Sequence, residues 1–324
     1  MRDYYSNSSL STMATCETKA YLKYIAGLYD YEEDDEGGSN PMKAGKAVHQ
    51  ALEAYLQSKG SQDAALAALD SYRDHADLLV QPNDRLSYAN VHDVVLRWMM
   101  LHPLDKLPFN VIQGYTEVEL NVEDTALGKP YKFIIDWIVE DKVTGELGIL
   151  DHKTTGRLTP GWRDKWALDA QLTSYVWGAS QLLKRPVTTA WVNAIELNLL
   201  PGSGRRCNTH GMSYRECRLQ HCNFAMLGPY PRTPQLIGDW GETARRFAER
   251  YAIMEVWHAV GGPDALITLK QEGMFTGACG FCPFRQFCMA GRSPSHLQGM
   301  IEAEQAKKDH AEVVVPEWLG GNLE

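Results

Sequence analysis

The order of hydrophobic patterns predicts an α/β or α+β fold, a mixed sheet with helices packed on it. Three observations lead there: helical periodicity fills the first third of the chain, three strand-like runs follow at hairpin spacing, and a long amphipathic segment separates these from one more apolar strand. Residues 10–26 read as a short helix containing Cys16. After an acidic, glycine-rich loop, Val48, Ala51, Leu52, Tyr55 and Leu56 fall on one helical face, and residues 61–80 and 89–102 also look helical. Strands are expected near 113–121, 131–139 and 147–154. A helix over 163–184 carries Leu172, Tyr175, Val176, Ala179 and Leu183 on its apolar stripe, and residues 187–200 read as the returning strand. A Gly-, Arg- and Cys-rich insertion covers about 201–233, followed by a helix near 236–260, a cysteine-rich loop and a tail from about 293.

Composition narrows the function classes. At 324 residues with 44% hydrophobic content, the chain suits one elaborated domain or two small ones. No run approaches the ~18–20 apolar residues of a membrane span, and the first residues lack the apolar core of a signal peptide. Seven cysteines, an odd number, favour a reducing, cytoplasmic setting and metal ligation over disulfides. The formal charge of −9 is unevenly spread, with 13 Lys/Arg against 24 Asp/Glu in residues 1–150 and 19 against 17 in residues 151–324. Whole-chain electrostatics therefore do not favour nucleic acid, and any anion groove must be local.

The chemistry concentrates in the run Ile149-Leu150-Asp151-His152-Lys153-Thr154-Thr155. Burying a carboxylate and an ammonium at a strand end is costly unless they bind something. Asp151 and Lys153 share a strand face while His152 points away. Asp136 sits in the preceding apolar run, and a hairpin centred between Val143 and Thr144 sets it opposite Asp151, at the ~4.5–5.5 Å Cβ spacing of paired residues. Two carboxylates with a lysine beside them suit a metal site that hydrolyses phosphodiesters, with the lysine orienting the attacking hydroxide. A partly buried Asp–Lys ion pair gives the same tripeptide.

Cys279-x2-Cys282-x5-Cys288 places three thiols within ten residues of a Gly- and Pro-containing loop, and Cys16 is the remaining candidate for a fourth ligand. Such a set binds iron–sulfur or zinc, and it would tie the two ends of the chain into the folding free energy. In the insertion, Cys207, His210, Cys217 and His221 offer zinc-type ligands among arginines; a loop that merely contains Cys and His is the alternative. Arg157, Trp162, Arg163, Lys165 and Trp166 follow the active strand, and bases interleaved with aromatics suit a single-strand channel or an ordinary exposed surface.

Taken as an ordered set, these residues resemble the RecB-like branch of the PD-(D/E)XK nuclease superfamily, over roughly residues 8–292. The similarity is to the iron–sulfur-containing CRISPR-associated and AddB-type members and to stand-alone exonucleases of phage and bacteria. The opening segment Leu10–Cys16 is similar to the family's own, although Glu17 stands where a proline commonly follows the cysteine. Gly45-Lys46-Ala47-Val48-His49 resembles its G-x-x-x-H helix, Asp136 with Asp151-His152-Lys153 its acids and lysine, and Gln171-Leu172-Thr173-Ser174-Tyr175 its Q-x-x-x-Y motif.

The resemblance implies a restriction-endonuclease-like core in one domain over 1–292, with a helical part at about 44–110, a catalytic core at about 111–200, the insertion at about 201–233 and a cluster loop at 279–288. It implies Mg²⁺ or Mn²⁺ held by His49, Asp136, Asp151 and the backbone carbonyl of His152, imidazole favouring Mn²⁺. Lys153, Gln171 and Tyr175 complete the catalytic set, and a 4Fe–4S cluster on Cys16, Cys279, Cys282 and Cys288 joins the terminal segments. The implied function is a metal-dependent DNA exonuclease acting on single strands or duplex ends, with a recombination or CRISPR-associated partner. The alternative is a nonhydrolytic subunit that grips DNA ends.

Overall fold

Asp141 builds the turn that sets the register of the central hairpin. Its carboxylate accepts the backbone N–H groups of Val143 and Thr144 at 2.8 and 2.9 Å, which holds its pKa below the ordinary value. Gly145 completes the turn at φ +71°, where a side chain is strained. Strands β3 (Pro130–Asp141) and β4 (Leu147–Thr155) leave this turn antiparallel, pairing Trp137 with Leu150, Ile138 with Ile149, Val139 with Gly148 and Glu140 with Leu147. That is the register centred between Val143 and Thr144, and it leads next to Asp136 and Asp151.

The computed structural model describes residues 3–28, 40–81, 84–123, 127–198, 206, 211–213, 224–261, 269 and 271–313. The chain divides into two compact units, one of Met1–Gly37, Glu123–Pro130 and Glu242–Glu324 and the other of Gly38–Val122 and Tyr131–Gly241.

The first unit opens with β1 (Tyr5–Ser6), α1 (Asn7–Thr15), α2 (Glu17–Ala20) and a π-helical turn at Tyr21–Ile25. Ser6 caps α1 by accepting the Ser9 N–H at 3.3 Å, and Ser9 returns the bond in a capping box. The rings of Tyr5 and Tyr24 pack against Tyr251 at 5.8 and 6.3 Å between centroids. There the Tyr5 hydroxyl donates to the Ala248 carbonyl at 3.2 Å and the Arg250 guanidinium forks onto Glu17 at 2.7 and 3.0 Å.

The second unit contains α3 (Asn40–Gln57), α4 (Gln62–Leu69), α5 (Arg73–Leu79) and α6 (Tyr88–Leu101), followed by β2 (Phe109–Glu123), which pairs with β3. After β4 come α7 (Pro160–Asp164), α8 (Ala170–Leu183), β5 (Thr189–Glu196) and β6 (Phe224–Pro231), giving the strand order β3-β4-β5-β6. β4 and β5 run parallel with α8 as the crossover, while β5 and β6 are antiparallel, so the sheet is mixed. Ala44, Ala47, Val48, Ala51, Leu52 and Tyr55 form the buried stripe of α3, which joins Trp98 of α6 and Trp137, Leu150 and Trp191 of the sheet in one core. α8 packs on β4 and β5, and Gly178 lets the Phe133 ring approach to where a Cβ would meet it at 3.0 Å.

The long helix expected over 163–184 is broken. Thr159 and Asp169 cap separate helices, accepting the N–H of Trp162 at 3.2 Å and of Leu172 at 2.9 Å. The run expected as one helix over 61–80 likewise divides at a 3₁₀ turn, Asp70–Tyr72. β6 lies within the residues read as insertion. Its alternation is obscured by Gly228, Pro229 and Pro231, which an edge strand tolerates. Among the described residues the remaining α-helices are α9 (Pro234–Gly261), α10 (Gly273–Thr276), α11 (Arg285–Met289) and α12 (Pro294–Val313). No helix among the described residues is long and apolar enough to cross a membrane.

Candidate active site

The second unit brings Asp136, Asp151, Lys153, His49, Gln171 and Tyr175 together from β3, β4, α3 and α8. His49 Nδ1 donates to Asp136 Oδ1 at 3.0 Å, and the His152 backbone N–H donates to Asp136 Oδ2 at 2.6 Å. Lys153 Nζ lies 2.8 Å from Asp151 Oδ2 and donates to Gln171 Oε1 at 2.9 Å; Gln171 Nε2 in turn donates to the Tyr175 hydroxyl at 2.6 Å. Because an ammonium cannot accept, the Gln171 amide has one orientation. Tyr175 therefore accepts from Gln171 and keeps its own proton to donate.

Burial and charge set the protonation states. Burial disfavours the Asp136 carboxylate, but His49 and the His152 N–H outweigh it and bring the group down to about 2. Asp151 goes the other way: burial and the nearby Asp136 raise it to about 6 against the pull of Lys153. Lys153 is penalised by burial, yet the two carboxylates raise its pKa and keep it charged. Burial and then the Asp151 charge push the Tyr175 phenol up, leaving it neutral.

His152 points away from this cluster, as strand alternation requires, and packs edge-on against Trp137 at 4.6 Å between ring centroids. Its Nδ1 accepts from Asn193 Nδ2 at 2.8 Å, while Asn193 Oδ1 accepts from Trp98 Nε1 at 3.0 Å. Indole donates only, so the amide orientation is fixed and His152 carries its proton on Nε2. Burial holds the ring neutral, its pKa down to about 3. Sequence reasoning missed Asn193 and Trp98; the available signal was one amide inside the apolar run Trp191-Val192-Asn193-Ala194-Ile195.

The donor set fits a hard divalent cation. Two buried carboxylates and an imidazole are donor types that such a cation takes, and the buried Asp151 side chain has its charge met by Lys153, 2.8 Å from Oδ2. The side chains are disposed as a His–Asp pair and a Lys–Asp pair, and among the described residues no group of three His, Cys, Asp or Glu is arranged as a ligand shell.

Of the expected substrate contacts, Arg157, Arg163 and Lys165 are exposed and Trp162 is half-buried. Trp166 is 4% exposed and so has no face free for a base. It packs edge-on to Trp162 at 5.1 Å and beneath Lys165, whose Nζ is 4.1 Å from its ring centre. Cys207, His210, Cys217 and His221 lie outside the described residues. In the first unit, Cys16, Cys279, Cys282 and Cys288 line one cavity of about 350 Å³. Burial raises Cys288 to about 11, assisted by the neighbouring thiols, and raises Cys282 as well.

No curated protein matches the chain in a sequence comparison. The family model of the PD-(D/E)XK nuclease superfamily matches residues 4–289, an interval that contains both strands of the acid-bearing hairpin and the helices that supply His49, Gln171 and Tyr175. The chain therefore belongs to the PD-(D/E)XK nuclease superfamily.

Proposed function

We propose that this nuclease is a divalent-metal-dependent DNA exonuclease of the RecB-like branch, acting on single strands or duplex ends in recombination, repair or phage DNA processing. The observation that carries the reading is the burial of Asp136 and Asp151 together, with His49 bonded to the first and Lys153 2.8 Å from the second. A module that only grips DNA has no need of so costly an arrangement. His49, Asp136, Asp151 and the His152 carbonyl would hold Mg²⁺ or Mn²⁺, which supplies Lewis-acid polarisation of the phosphate and a lowered pKa for water. Lys153 steadies the attacking oxygen, and Gln171 fixes the ammonium that does so. Tyr175 fixes Gln171 and has a proton left to give to a phosphate oxygen.

Cys16, Cys279, Cys282 and Cys288 are proposed as ligands of a 4Fe–4S cluster. The cavity they share supports this.

The test compares end-labelled linear single-stranded DNA with a covalently closed circle of the same sequence, in Mn²⁺. An exonuclease shortens the linear strand stepwise and leaves the circle intact. Cleavage of the circle at the same rate would contradict the exonuclease assignment, and failure to cut either DNA would contradict the deoxyribonuclease reading.

A further inference from the structure

Beside His49 the second unit opens into a groove of about 610 Å³ whose lining includes Met42, Lys46, Arg85, Leu86, Thr155 and Gly156. Among the described residues its walls contain two cations and His49 but no carboxylate. Neither the Arg85 guanidinium nor the Lys46 ammonium has an ion-pair partner among the described residues. The guanidinium lies across Gly156, three residues beyond Lys153, so closely that a Cβ there would sit 2.5 Å from Arg85 Nη1. Met42, 63% exposed, adds apolar surface to the same groove. Cations beside an exposed apolar side chain match a nucleic-acid strand, which presents both phosphates and bases.

We propose that this groove carries the substrate strand next to the scissile bond, with Arg85 and Lys46 binding successive phosphates and Gly156 kept free of a side chain so that Arg85 can lie there. The proposal rests on the nuclease reading above and adds to it a strand path and two binding residues that no motif supplied.

Binding of a fluorescein-labelled oligothymidylate in EDTA, across a salt series, tests it alongside KM and kcat in Mn²⁺. Arg85→Ala is expected to weaken binding about tenfold, the loss of one charged hydrogen-bonding group. It should also flatten the log–log salt slope by about 0.7, the value for one phosphate contact on a single strand, and raise KM more than it lowers kcat. Gly156→Ala, which displaces the guanidinium without removing it, should give a smaller change in the same direction, and Arg85→Lys should keep the slope. If wild type cleaves DNA while Arg85→Ala and Gly156→Ala bind as tightly as wild type with its salt slope, the groove proposal is overturned and the nuclease reading stands. If wild type neither binds nor cleaves DNA, both fall.

Discussion

Lys153 Nζ lies 2.8 Å from Asp151 Oδ2, on a carboxylate side chain that is only 4% exposed. A buried carboxylate with one ammonium beside it retains lone pairs for a cation, and without a cation it is drawn towards protonation. Burial, reinforced by Asp136, raises Asp151 to about 6 from the 3.8 of a free aspartate. Since the folded pKa exceeds the unfolded one, the associated stabilisation is present below about pH 4 and lost as pH rises through about 6. Metal-free wild type should therefore lose Tm relative to Asp151→Asn between pH 4 and 7. Mn²⁺ should raise the wild-type Tm more at pH 7.5 than at 5.5, because protons compete for its ligands. Calorimetry with and without Mn²⁺ checks both, and a Mn²⁺ shift of equal size in Asp151→Asn would contradict this role for the carboxylate.

Asn193 joins Trp98 to His152 in the core beneath the site. Replacing it with leucine leaves the indole N–H and the imidazole Nδ1 buried without partners, a cost of roughly 2–6 kcal/mol at 1–3 kcal/mol for each such group. Urea unfolding measures this; a change below about 0.5 kcal/mol, the ordinary range for surface substitutions, would contradict the network.

Tyr175 acts on Lys153 only through Gln171. Tyr175→Phe removes the acceptor of the Gln171 Nε2 proton and loosens the ammonium, so kcat should fall about tenfold or more while KM changes little, as expected of disturbed positioning. An unchanged kcat would remove Tyr175 from the catalytic set.

The hairpin was legible because the turn composition and the period of two fix a register, and the observed pairs follow it from Trp137↔Leu150 to Glu140↔Leu147. The amphipathic face of α3 was legible for the same kind of local reason. β6 was not, since Pro229 and Pro231 suppress a strand signal and its identity comes from pairing with the distant β5. The gathering of His49, Lys153 and Gln171 needs the packing of α3 and α8 on β4, and that is tertiary information. Motif order anticipated it where periodicity offered nothing. Asn193 showed the limit: one polar residue in an apolar strand announces that a partner exists without naming Trp98 or His152. Trp166 showed another, because a sequence of bases and aromatics does not tell a stacking surface from a buried ring.

The shared thiol cavity makes a direct prediction. Protein purified without oxygen should be brown, contain acid-labile sulfide and lose both colour and thermal stability on Cys16→Ser or Cys288→Ser. Zinc in place of iron and sulfide would refute the cluster.

The central claim concerns Asp151 and Lys153 as the reacting centre, and degradation of linear single-stranded DNA in Mn²⁺ tests it most directly. Asp151→Ala and Lys153→Ala should each lower the rate by about 10²–10³ or more, the scale on which loss of one preorganised charge-stabilising group is felt, while circular dichroism shows both variants folded. Folded variants that degrade the strand at the wild-type rate would contradict it.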